Sequence, residues 1–393
     1  MLKRTICVVT GSRAEYGLLR WLLEELRVMP GVRLQLVITG MHLEARFGDT
    51  WREIEADGFA IDARVPMDLA GDSPAGAAAA MGRVTQGIGQ ALAQLAPDLM
   101  VVLGDRFEIL AAVQAAMLAR LPVAHLHGGE LTEGAMDDAF RHAITKMSHL
   151  HFTAADAYAR RVIQMGEAPA RVFVSGALAL EAVTRTAFLS REELARDLGR
   201  SLGDGTDGPL LLVTYHPTTL ADDASTAGVA AMLTALTEIP NARFVFTGVN
   251  ADPGHAAVDG LIANFVTARP ERASLHASLG QRRYLSLLRI ADAVVGNSSS
   301  GLYEAPALGV PTVNVGTRQA GRLRGPSVID CAETAEAIGA ALEQALDPAF
   351  RVGIKTGAVP HGGGTAARIA ELLSSVPLDG LVHKRFHDLP AAA

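Results

Sequence analysis

The 393-residue sequence has only two cysteines, Cys7 and Cys331. Neither belongs to a CxxC pair, which argues against a thiolate zinc site and against a disulfide scaffold. Cys7 lies in an apolar run and reads as a small core residue. Aromatic residues are 5% of the chain, so the core must be mostly Ala, Leu and Val, and stacking on single-stranded nucleic acid is disfavoured. No apolar stretch approaches the ~20 residues that span a bilayer. The run Thr5–Thr10 is too short for a signal-peptide core, and a cytoplasmic protein without a membrane partner is expected. Positive charge is not in excess: 35 basic against 42 acidic residues give −7. That balance disfavours nucleic acid and anionic membranes but not a small anion held by local arginines.

What is present is an ordinary globular composition, 49% hydrophobic and 20% charged, with a length suited to two or three domains. Short β-type runs alternate with helical stretches. Strands are expected at Ile6–Thr10, Leu34–Thr39, Leu99–Leu103, Val123–His127 and Val172–Ser175, with helices at Glu15–Arg27, Gly76–Leu95, Arg106–Ala119, Asp137–Met147 and Ala155–Met165. The Gly- and Asp-rich stretch Gly199–Pro209 reads as a surface loop or linker. Alternation then restarts, with strands at Leu210–Tyr215, Arg243–Thr247, Ala293–Gly296 and Thr312–Val315. The accompanying helices are placed at Thr226–Thr237, His255–Phe265, Arg282–Ile290, Gly301–Leu308 and Thr334–Leu346. The strands are continuous apolar runs, as doubly buried parallel strands should be. The fold class is therefore α/β, with two Rossmann-like doubly wound domains and a ligand cleft between the carboxyl ends of their strands.

Loops directly after strands should then carry the chemistry. Gly11-Ser12-Arg13-Ala14-Glu15-Tyr16-Gly17 opens a helix, where backbone N–H groups and Arg13 can hold an anion, or Ser12 can simply cap the helix. Asp105 in Leu103-Gly104-Asp105-Arg106 is either a base at a strand end or a helix cap. The segment His125-Leu126-His127-Gly128-Gly129-Glu130, followed by Asp137, Asp138, Arg141, His142, His149 and His151, holds five of the twelve histidines. It reads as an acid/base site, a metal site or a set of core histidines bonded to backbone. His216 ends a strand before Pro217. In Gly296-Asn297-Ser298-Ser299-Ser300-Gly301, three hydroxyls and free backbone donors at a helix start suit a diphosphate, and Glu304 one turn on suits a ribose diol. Gly316-Thr317-Arg318-Gln319-Ala320-Gly321-Arg322 adds two arginines, whereas the final Gly-rich turn His361–Gly364 reads as a plain helix start. A diphosphate-binding domain beside one rich in carboxylates and imidazoles describes a nucleotide-sugar enzyme.

GSRAEYG, LGDRFE, HLHGGE, RHAITKMSHLHF, His216-Pro217, GNSSSGLYEAP and NVGTRQAGR, in this order, resemble the hydrolysing UDP-N-acetylglucosamine 2-epimerases of sialic-acid and legionaminic-acid biosynthesis. The resemblance spans about Ile6 to Ile369 and implies a glycosyltransferase-B type fold. It implies domains at 1–185 and 186–364, with a C-terminal helix at about 365–393 packed back on the first. It also implies loss of the nucleoside diphosphate from C1 with removal of the C2 proton. A 2-acetamidoglycal results, and water then adds to release free N-acetylmannosamine or its analogue. Asp105, Glu130 and Asp137 resemble the family's acids and bases. Some relatives carry glutamate where His127 stands, which leaves His127 and Glu130 as alternatives for one role. His216 resembles a histidine near the diphosphate, Arg13, Ser298 and Ser299 resemble diphosphate contacts beside Ser300, and Glu304 resembles the ribose contact. Arg106, Asn250 and Arg318 complete the substrate-binding set. The resemblance implies no metal and no cofactor, and a homodimer or homotetramer. Alternatives are a UDP-2,4-diacetamido-2,4,6-trideoxy-hexose as substrate, a GDP-linked sugar, a non-hydrolysing epimerase, a glycosyltransferase, or a sensor that binds without turnover.

Overall fold

A computed structural model describes residues 4–69, 73–204, 206, 208–217, 224–248, 255–354 and 364–389. The chain divides into two compact units. The first comprises Met1–Glu130, Met136–Glu181 and His361–Ala393, and the second Leu131–Ala135 and Ala182–Pro360. Among the described residues no helix is long and apolar enough to cross a membrane.

The first unit is a seven-stranded parallel sheet. Its strands are β1 (Arg4–Thr10), β2 (Val32–Thr39), β3 (Ala63–Val65), β4 (Leu99–Leu103), β5 (Val123–Leu126), β6 (Leu150–Thr153) and β7 (Val172–Val174), in the spatial order β3-β2-β1-β4-β5-β6-β7. The second unit repeats the plan with six parallel strands: β8 (Leu210–Thr214), β9 (Arg243–Thr247), β10 (Ala273–His276), β11 (Ala293–Gly296), β12 (Thr312–Val315) and β13 (Val328–Cys331), ordered β10-β9-β8-β11-β12-β13. Both orders reverse once, between β1 and β4 and between β8 and β11. Within each unit, the loops at the carboxyl ends of its two strands flank that sheet's own switch point, where doubly wound sheets bind ligands.

Local rules explain the elements. β4 and β8 are buried at every position, because helices cover both faces. The helix Arg13–Val28 begins with a capping box formed by Ser12 and Glu15. Its Leu19, Leu22, Leu23 and Leu26 form one buried stripe at helical spacing. The C-terminal helix Thr365–Ser375 adds Ala366, Ile369, Ala370 and Leu373 to the same core. The shortage of aromatics is met by Leu, Val, Ile and Ala, as in the second core around Leu211, Val213, Val295 and Val313.

Four strands stand where the sequence expectation has none. β3, β10 and β13 are short edge strands with weak apolar runs, and β6 is disguised by its histidine. The strand expected at Val123–His127 stops at Leu126, because His127 adopts φ +63 and turns the chain out of the ladder. The helix expected at Gly301–Leu308 is a 3₁₀ turn at Ser299–Gly301 and a four-residue helix at Glu304–Ala307. Pro306 brings no amide hydrogen, and Gly309 at φ +69 closes the turn. The Gly- and Asp-rich stretch lies inside the second unit, where Arg191 donates to Leu202 O at 2.8 Å and Gly203 O at 3.1 Å.

Candidate functional site

In the first unit the loop after β4 presents Asp105. Its side chain is 20% exposed, and its Oδ2 is ion-paired to Nη2 of Arg141, which is buried. The other arm of Arg141 donates from Nη1 to His127 O at 2.9 Å. His127 Nδ1 lies 2.8 Å from Glu130 Oε1, and the Leu178 amide donates to His127 Nε2 at 3.4 Å. The Leu178 contact occupies the Nε2 lone pair, so the imidazole hydrogen sits on Nδ1 and points at Glu130. The turn that allows this needs Gly129: at φ +79 a Cβ there would overlap Tyr158 O and Val162, and Arg161 donates to Gly129 O. Asp137 is buried in the first turn of the helix Met136–Met147.

The histidine cluster therefore divides. His127 belongs to this polar chain. His125 donates from Nε2 to Gly104 O at 2.7 Å and takes the Thr145 hydroxyl at 3.0 Å on Nδ1. Burial lowers its pKa to about 3, so it stays neutral. His149 accepts from the Val123 amide at 3.1 Å, and burial lowers it to about 4. His151 donates to Glu167 at 2.9 Å. His142 lies 3.5 Å from Asp138, one helical turn away. Among the described residues no group of three or more His, Cys, Asp or Glu could hold a metal ion.

The remaining first-unit candidates are placed differently. Arg13 is half-buried at the first position of its helix, directly after the Ser12 cap. Arg106 is buried and gives its Nε to Glu108 Oε1 at 2.6 Å. It is part of the support beneath the loops.

In the second unit Asn297, which opens the loop after β11, is a hub. Its Oδ1 accepts from His216 N at 2.7 Å and its Nδ2 donates to His216 O at 2.8 Å. Its own carbonyl accepts from Gln319 Nε2 at 2.8 Å and from Arg318 Nη1 at 3.3 Å. One residue thus joins the loops after β8, β11 and β12, by its side-chain amide to the first and its backbone carbonyl to the last. Of the three serines, Ser298 caps the 3₁₀ turn by accepting from Ser300 N at 3.4 Å. Ser300 takes the Tyr284 hydroxyl at 2.7 Å, while Ser298 and Ser299 are half-buried. Glu304 is half-buried at the start of the four-residue helix. The dipole argument for this cradle loses force with the helix so short, and side-chain donors have to supply the charge. Asn250 lies outside the described residues. Arg322, the second arginine of its loop, donates to Leu131 O at 2.5 Å and to Thr132 Oγ1 at 2.9 Å.

Sequence reasoning named Arg141 and Asn297 within their motifs but gave neither a role of its own. Arg141 was detectable: Asp137, Arg141, Ile144 and Thr145 fall at i, i+4, i+7 and i+8, a buried stripe that includes an arginine. Asn297 was hidden by the hydroxyls beside it.

The family described as UDP-N-acetylglucosamine 2-epimerase matches residues 24–374. The chain belongs to that family. It is 38% identical over 391 residues to the GDP/UDP-N,N'-diacetylbacillosamine 2-epimerase (hydrolysing) of Campylobacter jejuni, covering 99% of this chain and 100% of that one. It is 35% identical over 375 residues to the UDP-N,N'-diacetylbacillosamine 2-epimerase (hydrolysing) of Legionella pneumophila, covering 95% and 97%. Hydrolysing 2-epimerases are thus the members that this epimerase-family chain resembles over nearly its whole length. In fold it is similar to the UDP-N-acetylglucosamine 2-epimerase of Neisseria meningitidis solved with UDP-N-acetylglucosamine, at a TM-score of 0.78 and 18% identity over 94% of this chain and 99% of that one. The two Rossmann-like units are of the glycosyltransferase-B type.

Proposed function

We propose that this protein is a hydrolysing 2-epimerase that converts a nucleoside-diphosphate 2-acetamido sugar to the free C2-inverted sugar and the nucleoside diphosphate. The observation that carries the reading is the connected chain Asp105–Arg141–His127–Glu130 at the carboxyl ends of β4 and β5. Inversion at C2 needs one group to take a proton from one face and another to return a proton to the opposite face. Asp105, the more exposed acid, suits the first role, and the hydrogen-bonded His127–Glu130 pair suits the second. Asp137 is the further acid of the set.

The C2 hydrogen is not next to a carbonyl, so departure of the diphosphate must lead. The C1–O bond breaks, the diphosphate leaves with the electron pair, and positive charge develops at C1. That charge acidifies the C2 hydrogen, and its removal gives the 2-acetamidoglycal. Addition of water, with OH at C1 and H at C2, completes the reaction. Arg13, Arg318, His216, Ser298 and Ser299 are the groups we assign to the leaving diphosphate, where donors stabilise growing charge. Glu304 is assigned to the ribose, and Ser300 and Arg106 to support. The near full-length similarity to diacetylbacillosamine 2-epimerases favours a 2,4-diacetamido-2,4,6-trideoxy sugar on UDP or GDP. The family description favours UDP-N-acetylglucosamine as the second choice.

Proton NMR in D₂O tests this with both nucleotide sugars. The reading expects a free sugar deuterated at C2, with the nucleoside diphosphate accumulating, and faster turnover of the diacetamido substrate. An epimerised sugar still attached to its nucleotide would establish a non-hydrolysing enzyme. Binding with no turnover of either substrate would sink the catalytic reading.

A further inference from the structure

A second buried cluster lies beneath the first loop of the first unit, apart from the acid/base chain. Glu15 is 4% exposed and Glu108 is wholly buried. Glu15 Oε2 accepts from Gly11 N at 2.7 Å, from Ser12 N at 3.2 Å and from the Thr10 hydroxyl at 3.5 Å. Its Oε1 is buried and has no hydrogen-bond partner among the described residues. Gly11 in turn lies directly on Glu108, where a Cβ would meet Cγ at 2.5 Å and Oε1 at 2.8 Å. Glu108 Oε1 accepts from Arg106 Nε at 2.6 Å, and Arg106 follows Asp105 in the chain. From the 3₁₀ turn Gly40–Leu43 after β2, Gly40 lies so near the first loop that a Cβ there would meet Gly11 O at 2.4 Å, and His42 Nε2 meets Thr10 Oγ1 at 3.2 Å. Burial holds His42 neutral, with its pKa lowered to about 3. The groups around Glu15 are therefore one arginine, Arg106, two carboxylates, Glu108 and Asp105, and one neutral imidazole.

Asp105 is paired to Arg141, so Glu15 and Glu108 are left against one guanidinium, an excess negative charge out of water that a single retained proton removes. The same conclusion follows for Glu15 itself. Burial first, then Glu108, raises its pKa to about 8, against the opposing pull of Arg106 and the Gly11 amide. The protonated acid keeps Oε2 as an acceptor for the loop amides and carries its hydrogen on the otherwise unpartnered oxygen.

We infer that Glu15 is a positioning residue for the epimerase reaction, and that its protonated carboxyl fixes the loop carrying Arg13 against the segment carrying Asp105. This rests on the function proposed above. Glu15 touches no substrate in this scheme. It sets the place of the loop backbone, and ionisation above neutral pH loosens that loop by repulsion from Glu108.

The test uses the full chain and two variants, Glu15→Gln and Glu15→Ala. Glutamine keeps the acceptor oxygen, carries hydrogens on the other atom and cannot ionise. The wild type should lose kcat/KM through an alkaline limb near pH 8. Glu15→Gln should lack that limb while keeping kcat at neutral pH within about threefold. Glu15→Ala should raise KM about tenfold with a smaller change in kcat, because the loop is mispositioned and the chemistry is intact. Amide hydrogen exchange of peptides covering residues 6–18, read on ligand-free protein at each pH, should show the wild type losing protection relative to Glu15→Gln above pH 8. An alkaline limb that persists in Glu15→Gln, or equal exchange in the two proteins at every pH, overturns the inference. If Glu15→Ala does not fold, the glutamine comparison decides. If the wild type turns over no nucleotide sugar, the proposed function fails, and the exchange measurement still decides this inference.

Discussion

The Asp105 carboxylate is ion-paired to the guanidinium of Arg141, a residue of the helix that also carries Asp137. Arg141 is buried and holds His127 O with its other arm, so one side chain sets the distance between the β4 loop and the β5 turn. A forked donor is needed for this. Lysine, a single point charge, could satisfy one of the two acceptors but not both in this geometry. The pairing sets a guanidinium directly against the Asp105 carboxylate. An anion close to a developing C1 cation is favourable in the transition state and of little use to the intact substrate.

Asp105→Asn should therefore lower kcat by about 100- to 1000-fold while UDP affinity changes by less than about threefold. Steady-state kinetics and calorimetric titration with UDP measure the two quantities. Equal losses in both would make Asp105 a structural residue. Arg141→Lys should lower kcat by about tenfold or more with Asp105 still in place, since only the second contact is lost.

Asn297 satisfies both backbone groups of His216 and presents its own carbonyl to Gln319 and Arg318. Asn297→Asp keeps the acceptor for His216 N but puts a second acceptor against His216 O. It should cost about 2 kcal/mol or more, because a buried carbonyl loses its donor and gains a repulsive neighbour. Thermal unfolding gives the stability loss. Weaker UDP binding in the same variant would show that the amide also places the diphosphate loops. Unchanged Tm and unchanged affinity would count against the hub.

Most of the fold could be read in the sequence, because buried parallel strands such as Leu99–Leu103 and Leu210–Thr214 are unbroken apolar runs. The strand at Leu150–Thr153 was missed, since His151 interrupts its apolar character and only Glu167, sixteen residues on, makes that histidine acceptable in a core. The candidate loops were picked out by their glycines and charges. Which member of each loop does what was not. Three hydroxyls in a row at Ser298–Ser300 look equivalent, yet Ser300 is taken by Tyr284 and the preceding Asn297 does the joining. Arg106, expected among the substrate contacts, has an ion pair with Glu108 two residues along that its position beside Asp105 does not announce. Such choices depend on contacts between segments distant in sequence, which periodicity does not encode.

Gly11→Ala tests the seat of the first loop. The added methyl would fall 2.5 Å from Glu108 Cγ, and Glu108 is wholly buried and tied to Arg106, so the side chain has no room to swing aside. Overpacking of this kind costs about 1–3 kcal/mol. The substitution should lower Tm and weaken nucleotide-sugar binding together, as the Arg13 loop is displaced. A fully stable Gly11→Ala with normal kinetics would mean that the loop moves freely over Glu108.

One buried carboxylate is among the anchors of the C-terminal segment, beside Arg171 on Leu381 O, and its acid sensitivity has a defined sign. Glu167 accepts from His151 at 2.9 Å, from Lys146 at 2.6 Å and from Lys384 at 2.7 Å, and Lys384 also donates to Lys146 O and Ser148 O. His151 is kept from charging mainly by burial, so it donates as a neutral imidazole while the lysines supply the charge. These donors outweigh the burial of the carboxylate and hold Glu167 at about 2, well below the ordinary 4.5. A depressed carboxylate stabilises the fold in full above about pH 4.5 and loses that contribution as pH falls towards 2. Glu167→Gln should therefore cost about 2 kcal/mol at pH 7, less than the ~3–5 of a fully buried pair because both lysines keep some solvent. The gap in Tm between wild type and variant should narrow as the pH is lowered below 4.5. Lys384→Met should leave the two remaining donors on Glu167 and expose the segment after Leu378 to protease while kcat stays near wild type, since no residue of the acid/base chain is touched. A Tm gap that is constant from pH 7 to 3.5 would show that Glu167 acts by shape and not by charge.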